Sequence, residues 1–362
     1  MDCKASGRKP QGKPYTASFC RQPFVNRRNM NISWSWASPA IPQPSQPSQP
    51  LGAPDLRTTA ATGSPRSARG AAVAIGSFDG LHLGHQALIR PLKQAAKDRD
   101  LDSVVCSFYP HPRKFFQPLK APGLILPLRD KLRTLASAGL NRTHLLRFNA
   151  AMANLSPEDF VQLILVKRLN AKLVIVGEDF RFGHKRAGDL NRLTELGLSH
   201  GFAVQAVSEI QHGGERVSSS RLREALMAGE LGLARQLLGR PYQLSGRVVR
   251  GQQLGRELAF PTLNLKMPED LVASGIFAVW VEGLDRRPLA GVASLGRRPT
   301  VESGGRLLLE VHVLDWSAQA YDQHVRVSLV ERIRPEMRFD NLEDMTQQMH
   351  QDLQQARALL KA

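Results

Sequence analysis

Hydrophobic positions divide this chain into two textures. Between residues 71 and 239, short apolar runs alternate with segments whose apolar residues recur at helical spacing. The runs 71–75, 102–108, 172–176 and 203–207 read as strands, and 144–147 as a short one. Residues 86–97 place Leu88, Leu92 and Ala95 on one helical face, with Pro91 inside to kink the helix or shift its start. Helices are also expected over 126–138, 156–169 (Ser156 as cap, Pro157 first) and 189–201, and from the serines at 218–220 onward. Strands and helices in alternation predict a parallel α/β sheet.

After Arg240 the texture changes. Runs at 242–249, 275–281, 289–295, 307–314 and 324–332 are separated by Gly and Pro turns, which predicts a small antiparallel barrel. Within 307–314 the side chains alternate, so Glu310 points away from the apolar row of Leu307, Leu309, Val311 and Val313. Residues 342–360 read as a terminal helix with Leu353, Ala356 and Leu360 on one face. The expected division is a disordered extension at 1–69, an α/β domain at 70–225, a helical connector at 226–240 and a barrel domain at 241–362.

Composition refines this picture in three ways. A chain of 362 residues is long enough for two domains. Residues 1–70 hold ten lysines and arginines against two acids, Asp2 and Asp55, so about half of the +17 charge sits in the extension. That extension is rich in Pro, Ser and Gln; it suits a disordered tail or an over-long translation start, and its acid-poor character resembles a transit peptide. The remaining basic excess suits phosphate-bearing small molecules, and no basic run is interleaved with aromatics, so nucleic acid is not the expected partner. No apolar run is long enough to span a membrane, and Cys3, Cys20 and Cys106 have no metal or disulfide spacing, so a reducing, cytoplasmic setting is expected. A monomer or weak homo-oligomer is expected.

The candidate chemistry begins where the first strand ends. Gly76, Phe78, Asp79 and Gly80 form a turn, and His82 and His85, on either side of Gly84, enter a helix. Histidines three apart lie on one face, beside unpaired N–H groups and the positive end of the helix dipole, which suits a triphosphate. Tyr109-Pro110-His111-Pro112 ends the second strand, where ligands of parallel sheets gather. Ser219, Ser220, Arg221 and Arg223 offer hydroxyls and guanidinium groups at a further helix start.

Together with Gly177-Glu-Asp-Phe-Arg-Phe-Gly183 after the run 172–176, these residues resemble the GxFDGxHxGH, VGxDFxFG and ISSTxxR motifs of the bacterial bifunctional riboflavin kinase/FMN adenylyltransferase (FAD synthetase) family, with Ser220 in place of the threonine. The second half resembles it too. Gly251-Gln-Gln-Leu-Gly-Arg-Glu-Leu-Ala-Phe-Pro-Thr-Leu-Asn264 is similar to the riboflavin kinase signature GxxxGRxLGxPTxN, with Ala259 where a glycine is usual and Leu263 where a small residue is. Gly275-Ile-Phe-Ala278 resembles GVYA, and the stretch 334–339 resembles RPExxF.

The resemblance implies a HIGH-type, Rossmann-like nucleotidyltransferase domain followed by a β-barrel kinase domain. It implies that ATP phosphorylates riboflavin to FMN with Glu310 as general base, and that FMN then attacks a second ATP to give FAD and pyrophosphate. His82 and His85 would be catalytic. Gly76, Phe78, Asp79, Gly80, Gly84, Ser219, Ser220, Arg221, Arg223, Gly251, Gly255, Arg256 and Pro261 would hold nucleotide. Asp179, Phe180, Phe182 and Arg338 would contact flavin, and Thr262 and Asn264 would hold Mg²⁺. The alternatives are an aminoacyl-tRNA synthetase, which needs a lysine loop not found here, a different small nucleotidyltransferase, which leaves the barrel unexplained, and a flavin-binding regulator with reduced catalysis.

Overall fold

An apolar–polar alternation at 32–35 suits an edge strand, and a run without a polar residue at 71–75 suits a central one. The computed structural model, which describes residues 32–35, 69–251, 260–297 and 307–362, contains both as β1 (Ile32–Ser35) and β2 (Ala71–Ile75). The chain continues through α1 (Leu83–Asp98), β3 (Asp102–Tyr109), α2 (Pro112–Phe116), α3 (Leu128–Ser137), β4 (Arg142–Arg147) and α4 (Ala150–Ala153). Next come α5 (Pro157–Phe160), running on as a π-helix (Val161–Arg168), then β5 (Ala171–Gly177), α6 (Leu190–His200) and β6 (Ala203–Val207). A two-stranded ribbon, β7 (Gln211–His212) and β8 (Glu215–Arg216), leads into α7 (Ser219–Ala228).

The large sheet has the order β1-β4-β3-β2-β5-β6, and every neighbouring pair is parallel. From β2 the chain winds first toward β3 and β4, then crosses to β5 on the other side. The crevice at the carboxyl ends of β2 and β5 is therefore where such a sheet takes its ligand. Two of the three α/β motifs singled out in the sequence follow these two strands, and the third opens α7.

The extension expected to be without structure contributes β1, which corrects that reading in part. The Ile-Ser-Trp-Ser alternation is the period-2 signal, set within a composition that argues for disorder. Helix α1 starts at Leu83, ahead of the expected start, and passes through Pro91.

The short helix α8 (Leu231–Leu238) connects to six antiparallel strands: β9 (Tyr242–Val249), β10 (Leu263–Lys266), β11 (Gly275–Glu282), β12 (Leu289–Arg297), β13 (Leu307–Val313) and β14 (His324–Arg334). They close into a barrel in the order β10-β13-β12-β11-β14-β9, and α9 (Leu342–Leu360) follows. Closure leaves the small sheet no free edge. Strand β10 was not foreseen, because four residues inside a Pro-Thr-Leu-Asn segment carry too short a pattern. Asp352 of α9, buried, accepts from the Arg334 guanidinium at 2.7 Å and 2.9 Å, which ties the helix to β14.

The barrel interior is not a separate core. Leu244, Leu265, Phe277 and Val327 belong to one apolar cluster with Ile125, Leu222, Leu226 and Leu237. Polar contacts reinforce the junction. The Tyr242 hydroxyl donates to the Ile125 carbonyl at 2.8 Å. Buried Asp130 of α3 accepts from the Ser245 amide at 3.0 Å and from the Ser245 hydroxyl, and Arg133 donates to that same hydroxyl at 2.6 Å.

Candidate active sites

The turn between β2 and α1 is built from unusual backbone. Phe78, Gly80 and Leu81 all have positive φ, at 47°, 82° and 48°. Two of them are not glycine, a costly choice that clusters at functional sites. At Gly80 the reason for glycine is direct, because a Cβ would stand 2.9 Å from both Ile125 and Leu222. Gly84 leaves room for the His82 ring, whose atoms would lie 3.1 Å from a Cβ there. His82 caps α1, and its ring stacks on His85 with centroids 3.8 Å apart.

Both histidines are uncharged near neutral pH. Burial pushes His82 down to about 4, helped by Arg223, Arg216 and Arg240. Burial also holds His85 well below its usual value, with His82, Lys131 and Arg223 adding to it. The buried Nδ1 atoms of both rings have no hydrogen-bond partner among the described residues. Buried polar atoms in that condition are rare and mark a place for a ligand.

Asp79 organises the walls around them. Its carboxylate accepts from the Ile125 and Leu126 amides at 3.2 Å and 3.3 Å, and pairs with Arg223 at 2.6 Å. Arg223 also donates to the Gly123 carbonyl at 2.7 Å, and the Ser219 hydroxyl donates to the Asp79 carbonyl at 3.2 Å. Asp79 and Arg223, expected to touch nucleotide, are thus joined to each other and fix α7 against the turn. Arg221 donates to the His212 carbonyl at 2.8 Å and pairs with Glu215, while Ser220 is exposed on the first turn of α7. Ser218 is the helix cap.

After β5, Asp179 is exposed and pairs with Arg216 at 2.6 Å, and Phe180 is half-buried. Phe182, expected on the flavin side, lies in the core beside Phe160 and stacked on Phe180. Its backbone pairs both ways with Gly188, which turns the ring inward. Gly76 sits at the end of β2, its amide bonded to the Cys106 carbonyl.

Three residues here were not read from the sequence as site residues. Lys131 is 7% exposed on α3, and its charge bears on His85 and His111. His111 accepts from the Arg113 amide at the cap of α2 and is pushed down to about 4, chiefly by burial. Arg240 donates to the Gly80 carbonyl at 2.8 Å. The Pro-His-Pro turn was a signal for His111; Lys131 and Arg240 have no local motif and arrive through the fold.

The barrel carries a second constellation. Register places Asn264 of β10 beside Glu310 of β13, and Glu310 beside Ser294 of β12. Glu310 lies on the half-buried side of β13, opposite the buried row of Leu307, Leu309, Val311 and Val313. Asn264 is buried, its Nδ2 donates to the Thr262 carbonyl at 3.3 Å, and its Oδ1 has no partner among the described residues. A Cβ at Gly251 would stand 2.6 Å from Asn264 Nδ2, so any other residue there would displace that side chain. Pro261 is exposed, and its carbonyl contacts His312 Nδ1 at 3.0 Å. Phe260 is held edge-on by His312 and by His350 of α9, at 5.4 Å and 4.9 Å. Arg338 is exposed before α9, and Gly255, Arg256 and Ala259 lie outside the described residues.

Asn264 Oδ1, a buried oxygen without a partner among the described residues, fits a hard cation, as do the neutral oxygens of Thr262. Such a donor set leaves the negative charge to be brought by phosphates.

Comparison with known proteins agrees with this division. A family model described as FAD synthetase matches residues 64–221, and one described as riboflavin kinase matches residues 238–360. The chain is 42% identical over 284 residues to a bifunctional riboflavin kinase/FMN adenylyltransferase of Escherichia coli (strain K12), covering 78% of this chain and 90% of that one. It is 40% identical over 292 residues to the protein so described from Pseudomonas fluorescens, covering 80% and 93% of the two chains. It also matches a solved structure described as a macrolide-efflux protein from Streptococcus pneumoniae, with TM-score 0.67 and 30% identity, over 80% of this chain and 94% of that one. Among the described residues no helix is long and apolar enough to cross a membrane.

Proposed function

Because the chain belongs to the bifunctional riboflavin kinase/FMN adenylyltransferase family, we propose that its two transfers run at two separate centres, one at the β2–α1 turn and one at β10 and β13. The enzyme converts riboflavin to FMN and FMN to FAD, with ATP as co-substrate. The observation that carries the two-centre reading is register. Glu310 and Asn264 are neighbours on the barrel, while His82 and His85 stack on the α/β unit.

In the barrel, Glu310 takes the proton of the ribityl 5′-hydroxyl as that oxygen attacks the γ-phosphorus, and ADP leaves. Thr262 and Asn264 would hold Mg²⁺, which when bound neutralises phosphate charge. Gly251 lets the backbone lie close to Asn264, so the loop can approach a phosphate. In the α/β unit, an FMN phosphate oxygen attacks the α-phosphorus of ATP, and pyrophosphate leaves. FMN is already a competent nucleophile, so the side chains position and stabilise charge. Neutral His82 and His85 offer ring nitrogens without adding charge, and α1 offers the positive end of its dipole. Phe180, Asp179 and Arg338 are assigned to the flavins. A cytoplasmic monomer or weak homo-oligomer suits an enzyme of small, diffusible substrates.

The test is product analysis by chromatography. Incubation with riboflavin, ATP and Mg²⁺ is expected to yield FMN and then FAD, and supplied FMN is expected to yield FAD directly. A folded preparation that forms neither product would refute the reading.

A further inference from the structure

Helix α3 carries a buried cation that the reaction described above leaves without a task. Lys131 is 7% exposed, and no described residue accepts a hydrogen bond from its ammonium group. Its neighbours are known by charge. Asp79 on the turn attracts it, and its own charge bears on His85 of α1 and on His111 at the end of β3. Arg223 of α7 bears on the same two histidines.

A structural lysine would exist to neutralise Asp79. Arg223 already does so, at 2.6 Å, with both side chains buried. His82, His85 and His111 are all held neutral, and the charges that bear on them are the Asp79 carboxylate against Lys131, Arg223, Arg216, Arg240 and Arg113. A buried surplus of positive charge is costly unless an anion arrives to meet it. The chemistry of the centre supplies one, because phosphate oxygens of FMN and ATP must both enter it.

We propose that Lys131 contacts a phosphate oxygen at the adenylylation centre, between the start of α1 and the His111 turn. The proposal rests on the assignment of FAD synthesis to the β2–α1 turn. Burial pushes Lys131 down to about 8, so the substrate-free enzyme loses this charge in mildly alkaline solution. A bound phosphate raises the affinity for the proton again.

The experiment uses the full chain as wild type, Lys131→Met and Lys131→Arg, with initial rates of FAD formation from supplied FMN, ATP and Mg²⁺. Riboflavin phosphorylation is measured on the same preparations. Lys131→Met is expected to lower kcat/KM for FAD formation about 10²–10³-fold, the usual effect of removing one charge-stabilising donor, with phosphorylation intact. A rise mainly in the KM for FMN identifies the flavin phosphate as the ligand, and a rise mainly in the KM for ATP identifies the nucleotide. Wild-type kcat/KM should fall above about pH 8, and Lys131→Arg, which stays charged, should abolish that fall. If Lys131→Met fails to fold, the pH profile of Lys131→Arg decides. An unchanged rate in Lys131→Met, or the same alkaline fall in Lys131→Arg, overturns the proposal. Wild type that makes FMN but no FAD overturns the assignment beneath it, and the proposal with it.

Discussion

His82, His85 and Glu310 can be told apart by what their loss should do. Replacing both histidines with alanine is expected to remove FAD synthesis from supplied FMN and to leave riboflavin phosphorylation. Glu310→Gln should do the reverse, lowering phosphorylation about 10²–10⁴-fold, the usual range for a general base. Chromatographic assays of each step decide it, and parallel loss of both steps in Glu310→Gln would point to one shared centre. The histidines also predict a pH response. With His82 at about 4, both rings stay neutral as pH drops from neutrality toward about 5, so initial rates of FAD formation should show no step near 6.5. At this scale the sequence was legible where spacing alone brings two side chains together, as with the stacked rings of His82 and His85. It misled at Phe182, whose alternation with charged residues looks like a pocket wall, whereas backbone pairing with Gly188 turns the ring into the core. Lys131 was silent because only α3 packing brings it to the turn.

Among the elements, α9 is held to the barrel by Leu353, Ala356 and Leu360, by the exposed Arg357–Asp315 pair and by the Arg334–Asp352 pair, and its His350 rests on Phe260 next to Pro261. Asp352→Ala leaves the half-buried Arg334 with only the Pro335 carbonyl and the Phe339 ring, a loss of at most about 3–5 kcal/mol, the cost typical of a fully buried pair. A denaturant midpoint lowered to that extent is expected, with riboflavin phosphorylation more sensitive than FAD synthesis. An unchanged midpoint would show the pair to be dispensable. The strands of uniform or alternating pattern could be read with nearly their observed ends, since burial on both faces or on one leaves that mark. The helix over 156–169 could be read too, but not that it winds as a π-helix from Val161 to Arg168, because the apolar residues there are close to continuous and favour no period. Strand β1 was hidden for another reason: its four residues are outweighed by the Pro- and Gln-rich composition that follows. It pairs with β4 alone, two strands away from β2. Deleting residues 1–69 should therefore leave both activities but expose the edge of β4, and light scattering should report faster aggregation. Loss of either activity would give the extension a role in the chemistry.

For the molecule as a whole, buried histidines set the response to acid. His82, His111 and His324 are pushed down to about 4, and His144 to about 3, from an ordinary 6.5. The unfolded chain therefore takes up protons that the folded one refuses. Stability is complete above about 6.5 and is lost progressively as pH falls toward 4, so Tm should decline over that window. A Tm independent of pH there would contradict the burial of these rings. Two domains could be inferred from the change of texture at Arg240, but their common interior could not, since no local pattern announces which apolar faces meet. That interior bears on inheritance. A recombination junction or a stop codon at the connector would part Leu222 and Leu226 from Leu244 and Leu265, and leave Asp130 without Ser245. Each half-gene would encode a product with a raw apolar face. For a lineage carrying this fused gene, a point change inside either centre discards one activity and keeps the shared interior whole, which a break between the halves does not.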